Sequence, residues 1–274
     1  MVEGDLLILG LGAMGSALAR GIISSGTLRP AQVWGYDAVE AKMQSLKSEL
    51  GIQTASAPDE GLEHFRAIVL VVKPDVVPSL LKQLSTKLDR RQLVISLAAG
   101  ITLAQLQRWS GDAIPIIRVM TNILVSYRKG TCALAPGKSA RKSHLATAKS
   151  LFDPLGVVVE VAEKDMDAVT ALAGSGPAFV FYFIEALRDA GVRCGLSKEV
   201  ALRMAAQTVE GAAHAVLETG SHPGLLRDQV TSPGGTTTHG LQALESRAFR
   251  AGIIEAIIAA TTRAGEISRA LGEN

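Results

Sequence analysis

An apolar run, Asp5-Leu6-Leu7-Ile8-Leu9, leads directly into Gly10-Leu11-Gly12-Ala13-Met14-Gly15, and apolar residues at helical spacing follow at Ala17, Leu18, Ile22 and Ile23. A glycine trio of this spacing is short and recurs by chance, but between a strand and a helix each glycine has a task. The first permits a tight turn, the second lets the backbone approach a pyrophosphate, and the third lets helix and strand pack closely. Further apolar runs occupy residues 32–36, 67–72, 93–97, 114–120 and 157–161, separated by helical stretches such as the one carrying Met43, Leu46 and Leu50. Strands that are apolar on both faces and alternate with helices predict an α/β fold. The expected form is a Rossmann-type doubly wound parallel sheet covered on both sides.

The pattern changes near residue 163. Beyond the run at 157–161 no strand is predicted, and helical spacing covers about 165–191, 197–219, 238–246 and 248–271, punctuated by Gly191, Gly220 and the turn Pro233-Gly234-Gly235. The expected division is residues 1–162 as a dinucleotide-binding domain and residues 163–274 as an all-helical domain for substrate binding and dimerisation. Residues 179–187 and 253–260 are apolar around more than one face, and a helix hydrophobic all round must be buried on all sides. A helical segment of this size buries such faces poorly alone, which favours a homodimer over a compact monomeric bundle.

Composition removes several function classes. A formal net charge of +2 and an aromatic content of 4% offer neither an electrostatic footprint for nucleic acid nor a stacking platform for bases. Cys132 and Cys194 lack metal-ligand or redox spacing and read as buried thiols. Glu3 and Asp5 stand where a secretory signal carries positive charge. The apolar stretch 168–187 is interrupted by Gly174, Ser175, Gly176, Pro177 and Glu185, which suits a buried helix with a broken entry better than a membrane span. A cytoplasmic protein without membrane or nucleic-acid partners is expected.

Open parallel sheets bind ligands at the carboxyl ends of their strands. Beyond Gly10, Leu11, Gly12, Ala13, Met14 and Gly15, that rule selects Val71-Val72-Lys73-Pro74 and Leu97-Ala98-Ala99, whose small residues let a flat nicotinamide ring approach. Asp37 ends the second strand. There a carboxylate accepts hydrogen bonds from the adenosine ribose and repels a 2′-phosphate, favouring NADH over NADPH; the alternative is a plain helix cap, with Lys42 or Arg66 compensating a phosphate. The five histidines form no metal or triad spacing, so no metal is expected. A second candidate site is Ser232-Pro233-Gly234-Gly235-Thr236-Thr237, a glycine turn that opens a helix and presents amides and hydroxyls to a small anion such as a carboxylate.

The block Leu225-Leu226-Arg227-Asp228-Gln229-Val230-Thr231-Ser232-Pro233-Gly234-Gly235-Thr236-Thr237 resembles the signature of the pyrroline-5-carboxylate reductase family. Val-Lys-Pro at 72–74, Ser-Leu-Ala-Ala-Gly at 96–100, Gly-Ser-Gly-Pro-Ala at 174–178 and Glu-Thr-Gly-Ser-His-Pro-Gly at 218–224 extend the similarity over essentially the whole chain. The resemblance implies reduction of L-1-pyrroline-5-carboxylate to L-proline with hydride from NADPH or NADH, in dimers that often assemble further into decamers. It implies that Ser232, Gly234, Gly235, Thr236 and Thr237 grip the substrate carboxylate, that Glu163 borders the substrate, and that Asn122 meets the cofactor. Two departures stand out. Where members often carry Met-Pro-Asn-Thr-Pro this chain reads Met120-Thr121-Asn122-Ile123-Leu124, and many members carry a neutral residue in place of Asp37. Two rivals remain at this level. A hydroxyacid dehydrogenase of the same build usually needs a lysine that residues 171–177 lack, and a dinucleotide sensor has no use for a carboxylate turn.

Overall fold

A computed structural model describes residues 4–272. Strands β1 (Asp5–Leu9), β2 (Val33–Tyr36), β3 (Gln53–Thr54), β4 (Phe65–Leu70), β5 (Leu93–Ser96), β6 (Ile116–Met120), β7 (Gly130–Pro136) and β8 (Gly156–Glu160) form one eight-stranded sheet in the order β3-β2-β1-β4-β5-β6-β7-β8. Its covering helices are α1 (Ala13–Ser24), α2 (Glu40–Leu50), α3 (Val77–Ser85), α4 (Leu103–Ser110) and α5 (Lys142–Phe152). Successive residues of a strand point to opposite faces, and the core divides accordingly. Leu6, Ile8, Val69 and Ile95 pack with Leu18 and Ile22 of α1 and Leu151 and Phe152 of α5. Leu7, Leu9, Ile68 and Val94 pack on the other face with Leu81 and Leu84 of α3 and Leu106 of α4.

The sheet is parallel, as expected of a doubly wound fold, except at β7, which pairs with β6 in antiparallel register, Val119 opposite Leu134. The segment 121–129 between them is too short for a crossover helix, so the chain can only turn back. Strand β8 then returns parallel to β7 through α5.

Residues up to Ser175 and those from Ala259 onward form one compact unit, and Gly176–Ile258 form another. The helical part comprises α6 (Met166–Val169), α7 (Gly176–Arg193), α8 (Lys198–Thr219), α9 (Pro223–Gln229), α10 (Thr236–Ser246) and α11 (Phe249–Gly272). Between α6 and α7, residues Thr170–Ser175 adopt the wider i→i+5 turn, the interruption that Gly174, Ser175 and Pro177 foreshadow. Helix α9, absent from the sequence reading, begins at Pro223 with the His222 ring as its cap. Helix α10 starts two residues ahead of the expected 238, placing Thr236 and Thr237 in its first turn.

In the second unit α7 packs along α8, where Gly191 lets the Ala201 backbone and Cβ approach, and the Phe183 and Phe249 rings lie 5.9 Å apart. Ala171 and Ala173 are buried, but no residue of α7 is buried within one chain, in keeping with the expectation that this segment covers its apolar faces poorly alone. Phe181, Tyr182, Met204, Ile254 and Ile258 are all more than half exposed. The stretch Glu163–Arg193 is long and apolar enough to cross a membrane. Cys132 is buried as expected; Cys194, expected buried, is exposed just past the end of α7, beyond the packed part of the helix.

Candidate cofactor and substrate sites

The strand order reverses direction of travel between β1 and β4, and open α/β sheets bind ligands beyond the carboxyl ends of the strands at such a switch point. The chain leaves both strands through connected turns: Gly10 N–H donates to the Tyr36 carbonyl (2.8 Å), Val71 N–H to Leu9 (2.8 Å) and Leu97 N–H to Leu70 (2.9 Å). Gly10 has φ +102°, in the region that favours glycine, and a Cβ there would stand 2.4 Å from the Val71 carbonyl oxygen. A Cβ on Gly15 would lie 1.9 Å from the Gly10 carbonyl oxygen, while a Cβ on Gly12 would meet nothing within 4 Å. The first and third glycines are therefore fixed by protein packing, and the second faces open space. Gly12 is also the N-cap of α1 without any side chain capping it. Amides of Ala13 and Met14 are left for an anion, with the positive end of the helix dipole behind them. This cradle fits a pyrophosphate.

Asp37 follows β2 and faces the glycine loop. Its Oδ2 accepts the Leu11 amide (2.8 Å), its Oδ1 the Val39 amide (2.9 Å), and Lys42 Nζ stands 3.1 and 3.2 Å from the two oxygens. Burial pushes this carboxyl up, but the Val39 and Leu11 amides and the Lys42 ammonium outweigh it and hold the pKa below its ordinary value. Asp37 is thus charged at neutral pH, and it both caps the start of the next segment and braces the glycine loop.

On the opposite rim, Val71 and Val72 are half-buried, Lys73 is exposed and Pro74 starts a short 3₁₀ turn. Leu97 is half-buried, Ala98 is 4% exposed and Ala99 is exposed, so of the alanine pair only Ala99 offers its methyl outward. Asn122 is buried: its Nδ2 donates to the Ala173 carbonyl (2.9 Å) and its Oδ1 accepts the Leu124 amide (3.0 Å). Thr121 Oγ1 lies 3.0 Å from Cys132 Sγ, and burial pushes that thiol up to about 11. These bonds hold the loop that lacks the two prolines.

Glu163 sits just before α6. Its Oε1 accepts the Leu103 amide at the start of α4 and the Arg118 guanidinium at 3.3 Å. Arg118 is 4% exposed in the middle of β6, and its Nη2 has no partner among the described residues. The sequence reading missed Arg118, although a lone arginine inside the apolar run Ile116-Ile117-Arg118-Val119-Met120 is a visible signal of a buried ion pair. A cavity of about 720 Å³ opens beside α4, lined by Leu103, Gln107, Arg108, Lys138 and Glu163 among others; no glycine-loop residue lines it.

In the second unit the turn before α10 is built as follows. Gly234 has φ +66°, Gly235 N–H donates to the Ser232 carbonyl (3.1 Å), and Thr238 Oγ1 donates to the same carbonyl (2.9 Å). A Cβ on Gly235 would meet Ser232 Oγ at 2.3 Å. Gly235 is the N-cap and has no side chain to cap the helix, so the amides of Thr236 and Thr237 remain for a ligand whereas that of Gly235 is spent within the turn. The Thr237 side chain is half-buried in the first helical turn, and His239 is exposed with its ring against the Gly235 carbonyl (3.0 Å). Among the described residues no group of three His, Cys, Asp or Glu comes together.

Residues 163–267 match a family model described as pyrroline-5-carboxylate reductase dimerisation, and residues 5–100 match one described as NADP oxidoreductase coenzyme F420-dependent. The pyrroline-5-carboxylate reductase of Methanosarcina acetivorans is 40% identical over 95% of this chain and 97% of its own length. That of Escherichia coli is 37% identical over 98% of this chain and 100% of its own. Among solved structures, the Coxiella burnetii pyrroline-5-carboxylate reductase superposes with a TM-score of 0.89 at 34% identity, covering 96% of this chain and 98% of that one. The Plasmodium falciparum pyrroline carboxylate reductase with NADP bound gives 0.87 at 32%, covering 98% and 99%. With relatives matching along nearly their whole length and a helical part matching the dimerisation model, this chain belongs to the pyrroline-5-carboxylate reductase family.

Proposed function

We propose that this chain reduces L-1-pyrroline-5-carboxylate to L-proline with NADH or NADPH, the last step of proline biosynthesis. The observation that carries the reading is the Ser232-to-Thr237 turn, an uncapped helix start bearing hydroxyls and free amides, in a chain whose other half holds a pyrophosphate cradle. When bound, the reduced nicotinamide supplies a hydride to the carbon of the C=N bond. The protein's own contribution is placement. The amides of Thr236 and Thr237, at the positive end of α10, neutralise the substrate carboxylate. The Thr237 hydroxyl orients the ring and donates to or accepts from its nitrogen. A protonated imine is already electrophilic, so fixing its geometry supplies most of the rate. We place the nicotinamide against Leu97, Ala98 and Ala99, with Val71, Val72, Lys73 and Pro74 on the facing rim and Glu163 and Asn122 as supports of the surrounding loops rather than ligands.

Asp37 supports a preference for NADH, because a 2′-phosphate would meet a charged carboxylate held by two amides. Residues 1–162 act as the cofactor domain and 163–274 as the substrate and dimerisation domain. The exposed faces of α7 and α11 are covered by a second copy of the chain rather than by lipid, dimers assemble into decamers, and the enzyme works in the cytoplasm without nucleic acid. The matched dimerisation model supports the dimer; the family resemblance supports the higher assembly.

The test is loss of the reduced-nicotinamide absorbance with purified protein and pyrroline-5-carboxylate, run with NADH and NADPH in parallel. Oxidation that requires the imine, faster with NADH, is the expected result, and Asp37→Asn should raise the NADPH-to-NADH efficiency ratio. Cofactor binding without imine-dependent oxidation would refute the reductase.

A further inference from the structure

Gly100, which follows the alanine pair, has φ +78°, and a Cβ on it would stand 2.9 Å from Leu271 Cδ1 and 3.1 Å from Ile267 Cγ2. The last turns of α11 therefore lie directly on the loop after β5. One side chain fastens them there. Gln105, 7% exposed in the first turn of α4, donates from Nε2 to the Leu271 carbonyl at 2.7 Å. Its Oε1 accepts both the Thr102 amide (2.8 Å) and the Thr102 hydroxyl (2.9 Å), and its own amide donates back to Thr102 Oγ1 (3.2 Å). A single primary amide so uses its acceptor on the end of the loop and its donor on a carbonyl that the helix terminus would otherwise leave unpaired. Ser268 Oγ adds a bond to Asp167 Oδ1 (3.3 Å), tying the same end of α11 to α6.

We infer that Gln105 is a positioning residue for the nicotinamide: it latches the end of α11 to the loop of residues 97–102 and so fixes the surface on which the ring lies. The inference rests on the proposed placement of the nicotinamide against Leu97, Ala98 and Ala99. Hydride transfer is sensitive to displacements of about an ångström, so a loop released on one side loses geometry without losing the fold. The adenosine half of the cofactor, held by Gly12, the start of α1 and Asp37, is anchored elsewhere and does not depend on the latch.

That separation supplies the test. Gln105→Glu keeps the acceptor toward Thr102 and turns the donor into a carboxylate facing the Leu271 carbonyl; Leu271→Ala keeps the bond and removes the packing on Gly100. Each variant and the parent, as full chains, are titrated with NADH and with ADP-ribose, which lacks the nicotinamide, and turnover is measured alongside. Losing one such bond corresponds to about a fivefold change, so NADH binding should weaken about that much in Gln105→Glu, with ADP-ribose affinity unchanged and kcat lowered. A merely structural role would lower the melting temperature and leave the ratio of the two affinities at the parent value, and that unchanged ratio in both variants would overturn the latch. If the parent binds both nucleotides and leaves the imine unreduced, the reductase reading fails while the affinity ratios still decide the latch.

Discussion

The nucleotide-binding unit and the unit Gly176–Ile258 use apolar residues in opposite ways. In the first, alternate residues of each central strand fill two separate core layers, and Leu6, Leu7, Ile8 and Leu9 are all fully buried. In the second, the buried apolar residues are Ala201 and Ala205, while Phe181, Tyr182, Met204 and Ile254 face outward. A chain that spends large side chains on its outside is not a finished fold; the second unit reads as one side of an interface. The first unit buries its large apolar side chains within itself, and the second leaves its own exposed within one chain.

The largest effect that would break this comparison comes from Ile254→Asp. A carboxylate on that face should abolish the dimer in light scattering and remove activity, while ADP-ribose still binds the first unit; a dimeric, active variant would show that the face is not the interface. Next is Gly15→Ala, whose Cβ would sit 1.9 Å from the Gly10 carbonyl oxygen. Overpacking costs of about 1–3 kcal/mol put the expected loss of nucleotide affinity at about tenfold or more with the dimer intact, and normal binding would overturn the packing argument. Thr237→Ala comes third. Removing one positioning hydroxyl should lower kcat/KM for the imine by about tenfold, and an equal loss of cofactor affinity would contradict its role.

The smallest effect concerns the first unit alone. His144 Nδ1 accepts the Arg141 amide at 3.0 Å, and burial, aided by Arg66 and Arg141, holds its pKa below the ordinary 6.5. The folded state binds the proton less readily than the unfolded state, so the contribution of the neutral ring is complete above pH 6.5 and is lost as pH falls through the lowered value. The melting temperature should fall over that window, and the fall should be smaller in His144→Gln. If it belongs to the first unit, it will not vary with protein concentration.

Much of the first unit is legible in sequence because strands buried on both faces are unbroken apolar runs. Strand β7 escapes this rule: Gly130-Thr131-Cys132-Ala133-Leu134-Ala135-Pro136 is built of small residues, and only the short return from β6 betrays its direction. The glycine cradle is legible because its spacing encodes a local contact, the third glycine against the Gly10 carbonyl, within a strand-turn-helix unit. Contacts between distant residues leave no such spacing. Glu163 with Arg118, Asn122 with Ala173 and Gln105 with Leu271 each join segments far apart in the chain. Helix α9 was missed because seven residues give too few turns to show a period, whereas the exposure of α7 in one chain agrees with the expectation that a segment of this size buries such apolar faces poorly alone.

The bond from the Leu11 amide to Asp37 has a consequence for how this lineage can change. A descendant under selection for the phosphorylated cofactor gains by losing the negative charge, yet replacing Asp37 with a small or aliphatic residue also strips the glycine loop of its brace. The accessible first step is Asn, which is neutral and keeps a carbonyl oxygen for Leu11. Asparagine at this position thus separates the two tasks of Asp37, removing its charge while leaving an acceptor for the glycine loop.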